Sequence, residues 1–196
     1  DRDFNKAILL SDTAIMLNSI SGKDNLPASY YLAGLAALNQ NDPAKAKEYL
    51  SLIVRAKSKE FPAAYEHLYR IYVDEKDTVN AVKTALTYAK VADANNYNAD
   101  MLASNAYRLN GNMEKSQEHM NKALAKVRND NDRAVLLCAI GQSMEESGDF
   151  AGAETNYAES LRLLPNQFLA NNSMGIMFYN RAVDKLNAEN DVDIND

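Results

Sequence analysis

Two histidines, one cysteine and a few neighbouring carboxylates are the residues of this chain that could do chemistry. His67 and His119 stand singly, with no further N or S ligands at metal-binding spacing, so no zinc site is expected. Cys138 is the only thiol, which excludes an internal disulfide and a Cys-rich metal site; it reads as a small buried hydrophobe. Gly141-Gln142-Ser143 begins like a nucleophile elbow, but Glu145 stands where the second glycine is required and no strand precedes it. Ser143 is therefore an ordinary helix residue. Glu145-Glu146 and Asp74-Glu75 put carboxylates side by side, yet adjacent residues on a helix point apart, so neither makes an acid–base pair. No glycine-rich loop with Lys-Ser/Thr is present. Asn171-Asn172-Ser173 fits a glycosylation triplet but falls inside an expected helix. These residues point to a protein that is not an enzyme and needs no cofactor and no metal.

Composition sets the outer bounds. The chain has 196 residues, 46% apolar and 24% charged, which suits a folded protein of one or two domains. Net charge is -6, with no visible cluster of Lys and Arg, so nucleic acid is not an expected partner. No apolar run approaches the length of a membrane span, so no membrane insertion by this segment is expected. The chain starts at Asp1, with neither Met nor a signal peptide, and is expected to be a piece of a longer one.

Helices must position whatever this chain presents. Prolines number four and glycines seven, and no alternating β-branched run occurs, which predicts an all-helical protein. The clearest unit runs from 137 to 165. Leu137-x2-Ile140-Gly141-x2-Met144 gives one apolar helical face; Gly148-Asp149-Phe150 makes a turn; Ala153-x3-Tyr157 gives a second face; Pro165 closes it. Gly141 sits between apolar positions, where glycine costs about 0.5–1 kcal/mol against alanine, so a close helix approach is expected there. Gly148 suits a left-handed helix end and Asp149 suits a cap of the next helix.

The same unit recurs. Asp3-Phe4-x2-Ala7 repeats the start of a second helix, which continues through Ile8, Leu10, Ala14 and Leu17 to about Ser19. A polar turn, Ser21-Gly22-Lys23-Asp24-Asn25, precedes Pro27. Then come Tyr30-x2-Ala33-Gly34-x2-Ala37 with Ala46-x3-Leu50, and Tyr65-x2-Leu68-Tyr69-x2-Tyr72 with Ala81-x3-Ala85. After the loop Asp93-Ala94-Asn95-Asn96-Tyr97-Asn98, a third pair follows: Asp100-x2-Ala103-Ser104-x2-Tyr107 with Ser116-x3-Met120. A polar break is expected at Asn129-Asp130-Asn131-Asp132. After Pro165, Asn171-x2-Met174-Gly175-x2-Phe178 starts a last helix. Tyr69 replaces the expected small residue, so that pair of helices is expected to sit further apart or pack differently.

Positions 30, 65, 100, 137 and 171 are separated by 35, 35, 37 and 34 residues. This pattern resembles tetratricopeptide (TPR) repeats, helical hairpins with a period of about 34 residues. The resemblance implies an all-α solenoid of helix-turn-helix repeats in a right-handed superhelix. Within a single repeat domain over 1–196, the pieces are a half repeat at 1–21, repeats at 27–58, 61–93, 97–128 and 132–165, a terminal helix at 166–189 and an acidic tail at 190–196.

What the resemblance implies for function is a concave groove lined by first helices, receiving a peptide or helix from a protein partner. The inward positions by that resemblance are Tyr31 and Leu35, Glu66 and Arg70, then Met101, Asn105 and Arg108. Cys138, Gln142 and Glu145 follow, then Asn172, Ile176 and Tyr179. Side-chain amides and arginines there can hydrogen-bond a peptide backbone or a carboxylate. Some TPR co-chaperones hold a C-terminal carboxylate with Lys, Asn and Arg; the matching places here are Tyr31, Leu35, His67, Asn98 and Leu102, so that clamp is not expected. The alternative is a structural spacer or assembly module of a larger envelope protein, self-associating through open repeat ends. Glycan binding, seen on some TPR scaffolds, is disfavoured by the absence of Trp. The many Asn residues resemble bacterial envelope TPR proteins, which favours the periplasmic side of a bacterial envelope slightly over the cytoplasm.

Overall fold

Short polar turns divide the chain into helices. A computed structural model describes residues 4–20 and 27–193, with side chains described for 4–17 and 27–187. Among the described residues there are ten α-helices and no strand. They are α1 (Phe4–Ile20), α2 (Pro27–Asn39), α3 (Pro43–Arg55), α4 (Pro62–Asp74), α5 (Thr78–Val91), α6 (Tyr97–Leu109), α7 (Met113–Lys126), α8 (Asp130–Glu146), α9 (Phe150–Leu163) and α10 (Phe168–Asp193). The turn expected at 21–25, residue Asp3 and the tail residues 194–196 lie outside the described residues.

Three boundaries differ from expectation. The polar break at Asn129-Asp130-Asn131-Asp132 shrinks to Asn129, whose Oδ1 accepts from Asp132 N at 2.8 Å and starts α8. Asp130 and Asp132 then fall in the first turn, where the helix dipole favours negative charge. The loop expected to run to Asn98 ends at Asn96, which caps α6 by accepting from Ala99 N at 3.3 Å. α10 also runs on over 190–193, part of the expected acidic tail, because no Gly or Pro after Gly175 interrupts it.

Four helix-to-helix turns share one construction. Asn41, Lys76, Gly111 and Gly148 take positive φ, at 60°, 60°, 73° and 84°. Each donates its N–H at 3.0 Å to a carbonyl three residues back: Leu38, Val73, Arg108 and Glu145. The next residue, Asp42, Asp77, Asn112 or Asp149, donates its N–H back to the carbonyl of Ala37, Tyr72, Tyr107 or Met144 at 2.8–2.9 Å. That pair of bonds satisfies carbonyls orphaned at a helix end. The same Asp or Asn then caps the following helix, its Oδ1 accepting from the N–H three residues on, at 2.9–3.1 Å. One residue thus ends one helix and begins the next, which leaves three residues between the helices of each hairpin.

The chain divides into two compact units, Asp1–His119 and Met120–Asp196, with the division inside α7. In the first unit α1 packs on α2, α2 on α3, α3 on α4, α4 on α5 and α5 on α6. In the second, α8 packs on α9 and both pack on α10. Neighbouring helices therefore supply the core, and the buried apolar residues form consecutive clusters. Leu50, Ile53, Leu68 and Ile71 belong to one cluster, and Tyr65, Ala85, Tyr88 and Ala106 to the next. Ala153, Tyr157, Ala170 and Met177 form a third, in the second unit. Each fully buried large side chain contributes about 1.5–3 kcal/mol.

Side-chain size is matched within hairpins. A Cβ at Gly34 would lie 2.7 Å from Leu50 Cδ2, and one at Gly141 would lie 2.6 Å from Tyr157 Cε1. In the α4–α5 pair the sizes are exchanged. The bulky Tyr69 packs against the cluster that holds Ala85, at the place where the other hairpins carry Leu50 and Tyr157. The different packing expected for that repeat takes this form. In the third repeat Ser104 is the small residue, and its Oγ lies 2.8 Å from Ser116 O and 2.9 Å from Ser116 Oγ.

Candidate functional site

In the first unit the faces expected to look inward lie on α2, α4 and α6. Glu66 and Arg70 are four residues apart on α4, so they share one helical face, as do Met101, Asn105 and Arg108 on α6. Glu66, Met101 and Asn105 are half-buried, while Arg70 and Arg108 are exposed. Burial raises the Glu66 carboxyl above its usual range, opposed by Tyr88 and by the Arg70 cation. Tyr88 Oη stands 3.5 Å from Glu66 Oε1, a weak hydrogen bond, and receives one from Asn96 Nδ2 at 2.9 Å. Burial also raises the Tyr69 phenol, and the positive field of Arg108 on α6 counters it, which brings the α4 and α6 faces into one electrostatic neighbourhood. His67 is half-buried; burial lowers its pKa, and Arg70 lowers it further.

Tyr31 and Leu35 are used differently. Tyr31 is half-buried against the first core cluster, its ring 4.9 Å from that of Phe61 at 31°. Leu35 turns toward α1, lining a cavity of about 470 Å³ with Phe4, Leu10 and Leu32. The α2 pair therefore contributes packing and one end cavity rather than joining the α4–α6 polar row.

In the second unit Glu145 accepts a hydrogen bond from Tyr157 Oη at 2.8 Å. Glu145, Tyr179, Phe150, Met177 and Arg181 line a cavity of about 460 Å³. Tyr179 is 70% exposed. Gln142 is half-buried and Asn172 exposed; neither lines that cavity. Ile176 is exposed. Cys138 is buried, as expected of a small hydrophobe, but not at the inward place that the resemblance implied: it packs with Ala153, Tyr157 and Met177, because its side of α8 faces α9 and α10. Burial raises its thiol pKa.

His119 is satisfied rather than solitary. Its Nδ1 lies 2.9 Å from Asp100 Oδ1, and its ring stacks on Tyr107 at 5.3 Å. Among the described residues no three His, Cys, Asp or Glu side chains gather as a metal site. No helix among them is long and apolar enough to cross a membrane.

Two features escaped the sequence reading. Phe150 and Arg181 come to the Glu145 cavity from separate helices, and no motif links them. Arg55, Lys57 and Lys83 line a further cavity of about 270 Å³ between α3 and α5. For Arg55 and Lys83 the usable signal was a cation on a second helix with no carboxylate three or four residues away on the same helix; Lys57, in the turn after α3, gave none.

Residues 27–60 match the family model described as Tetratricopeptide repeat. No curated protein matches the chain. Several solved structures are similar. YrrB, described as a TPR protein with an unusual peptide-binding site, aligns with TM-score 0.70 and 16% identity, over 88% of this chain and 84% of that one. TTC0263, a thermophilic TPR protein of Thermus thermophilus, aligns with TM-score 0.63 and 16% identity, over 90% and 91%. A segment of MamA from Desulfovibrio magneticus RS-1 aligns with TM-score 0.60 and 17% identity, over 83% and 97%. At such identities the likeness is one of fold.

Proposed function

We propose that this chain, whose hairpins are like tetratricopeptide repeats, is a non-catalytic interaction scaffold whose first helices receive a peptide or helix of a partner protein. The observation that carries this reading is the polar row on α4 and α6. Glu66, Arg70, Asn105 and Arg108 lie on helices whose other faces are fully committed to the core by Ala64, Tyr65, Leu68, Ala103 and Ala106. Their own face is left half-buried or open. Arginine forks and amides in one row suit the repeating carbonyls of a peptide backbone and an acidic side chain. The similar fold of YrrB, a peptide-binding protein by its description, supports the reading.

Panning a peptide display library against the chain tests it. Peptides that bind the wild type should lose at least about tenfold in affinity for Arg70→Ala/Arg108→Ala, the loss expected for charge-assisted contacts. Equal binding to both proteins would remove the groove assignment.

A second reading is supported by the helices at the two extremes. α1 and α2 expose Leu9, Leu10, Met16, Leu17 and Leu32, and α10 exposes Phe168, Ile176, Phe178 and Leu186. Gly175 occupies the place of Gly34 and Gly141, yet a Cβ there would meet nothing within 4 Å. Apolar faces of this kind suit stacking on further repeats or on another copy. A mass from light scattering that rises with concentration, and falls back for Phe168→Ser/Phe178→Ser, is the expected result of that assembly role; a constant monomer mass excludes self-stacking.

A further inference from the structure

The cavity between α3 and α5 is separate from the groove and has a different character. Its walls are Val54 and Arg55 at the end of α3, Lys57 in the turn that follows, and Lys83 and Thr84 on α5; Leu68 and Tyr72 of α4 form part of its lining. Three cations therefore surround one hollow in a chain whose net charge is -6. None of the three forms a hydrogen bond through its charged group or an ion pair among the described residues.

Among the described residues no carboxylate lines the hollow, and Glu75 and Asp77, in the turn between α4 and α5, are engaged. Glu75 pairs with Lys47 at 2.7 Å. Asp77 caps α5, its Oδ1 accepting from Asn80 N at 3.1 Å and its Oδ2 from Asn80 Nδ2 at 2.7 Å. Arg55, in the last turn of α3, also meets the negative end of the helix dipole. Lys83, in the middle of α5, has no such reason to be there.

Thr84 supplies the second, independent observation. The residue is 4% exposed and lines the hollow, and its hydroxyl has no hydrogen-bond partner among the described residues. By contrast, Thr13, Thr87 and Thr155 each donate to the carbonyl four residues earlier. Among the described residues, no sealed side-chain N or O atom lacks a partner. The Thr84 hydroxyl is therefore not sealed, and the residue lines this cavity. A hydroxyl left free inside a ring of cations is a donor waiting for an acceptor.

We propose that this hollow is a phosphoryl-binding site, with the phosphate seated among Arg55, Lys57 and Lys83 and one oxygen accepting from Thr84 Oγ1. A phosphate monoester carries a charge of about -1.5 to -2 near neutral pH and three strong acceptor oxygens, so it matches three cations and a hydroxyl; a carboxylate leaves two cations uncompensated. Arg55 can engage two phosphate oxygens at once, while the lysines act as point charges. The volume admits a phosphoryl group with a small organic remainder against Leu68 and Tyr72, and is below the range of drug-sized ligand pockets.

Calorimetric titration of the full chain with inorganic phosphate and, separately, with phosphoserine tests this, with acetate and serine as comparators. One-to-one saturation by either phosphate probe, at least about tenfold tighter than acetate, is expected. Phosphoserine binding more tightly identifies a monoester as the ligand, and inorganic phosphate binding more tightly identifies the free ion; either supports the site. Lys83→Gln and Thr84→Val should each weaken binding severalfold while circular dichroism stays unchanged. Thr84→Val keeps the shape of the buried residue, so a packing role alone predicts no loss. Asp77→Asn keeps the helix cap, removes a negative charge near the rim and should tighten binding. Affinity that Thr84→Val and Lys83→Gln leave intact, or that equals acetate, overturns the proposal.

Discussion

Gly141 and Gly175 hold the same place in their repeats, and a methyl group at each should have opposite effects. A Cβ at Gly141 falls 2.6 Å from Cε1 and 2.8 Å from Cδ1 of Tyr157. That ring is fully buried and tied by its hydroxyl to Glu145, so it cannot swing aside. Gly141→Ala gains about 1 kcal/mol of helix propensity but meets overpacking of about 1–3 kcal/mol, so a net loss is expected. Gly141→Leu should lose more. At Gly175 nothing lies within 4 Å, so Gly175→Ala keeps the propensity gain and should raise stability by about 0.5–1 kcal/mol. Thermal unfolding of the two variants checks the pair, and the same sign for both would contradict the contact geometry. Gly141 was legible because a glycine between apolar helical positions needs a steric reason. Cys138 was legible as a small buried hydrophobe, but its side of α8 was not: only its packing on Ala153, Tyr157 and Met177 sets that. Nor could spacing show that Tyr31 turns to Phe61 while Leu35 turns to α1, since both sit on one stripe of α2.

At the scale of the element, four turns use the same bonds with different residues at the left-handed position. Gly111 and Gly148 take it at no steric cost, whereas Asn41 and Lys76 take it at φ 60°. For a residue with a Cβ that conformation costs about 1–2 kcal/mol. Part of that cost returns when glycine is introduced, because glycine loses more freedom on folding. Lys76→Gly should therefore stabilise by roughly 0.5 kcal/mol, and Gly148→Ala should destabilise by about 1 kcal/mol. The urea midpoint is the measurement, and a Lys76→Gly variant less stable than the wild type would mean that its side chain contributes more than its backbone costs. The Asp149 cap was legible in advance because a short acceptor before an apolar run has few other uses. The left-handed lysine was not. The flanking bonds, from Lys76 N to Val73 O and from Asp77 N to Tyr72 O, impose the conformation on whichever residue occupies the position.

At the scale of the molecule, a repeat period of 34 to 37 residues shows in the sequence, but the division within α7 does not. α7 contains neither glycine nor proline, so nothing in its composition marks a boundary between His119 and Met120. In a stack of hairpins each helix draws its stability from its immediate neighbours, so protection should be graded rather than uniform. α4 is packed by α3 on one side and α5 on the other, whereas α1 packs mainly on α2, is tied to α3 by Tyr49 Oη donating to Asp12, and leaves Leu9, Leu10 and Leu17 in solvent. α8 and α9 pack on each other and on α10, while α10 beyond Arg181 is exposed at nearly every described position. Native-state hydrogen exchange should therefore be slowest in α4 and α5 of the first unit and in α8 and α9 of the second. α1 and the latter half of α10 should exchange first. If the apolar faces of those end helices are covered by another copy, raising protein concentration should slow exchange in α1 and α10 while leaving α4 and α5 unchanged. Exchange at one common rate through all ten helices would instead require a single cooperative core, which the consecutive clusters around Leu50, Tyr88 and Tyr157 do not provide.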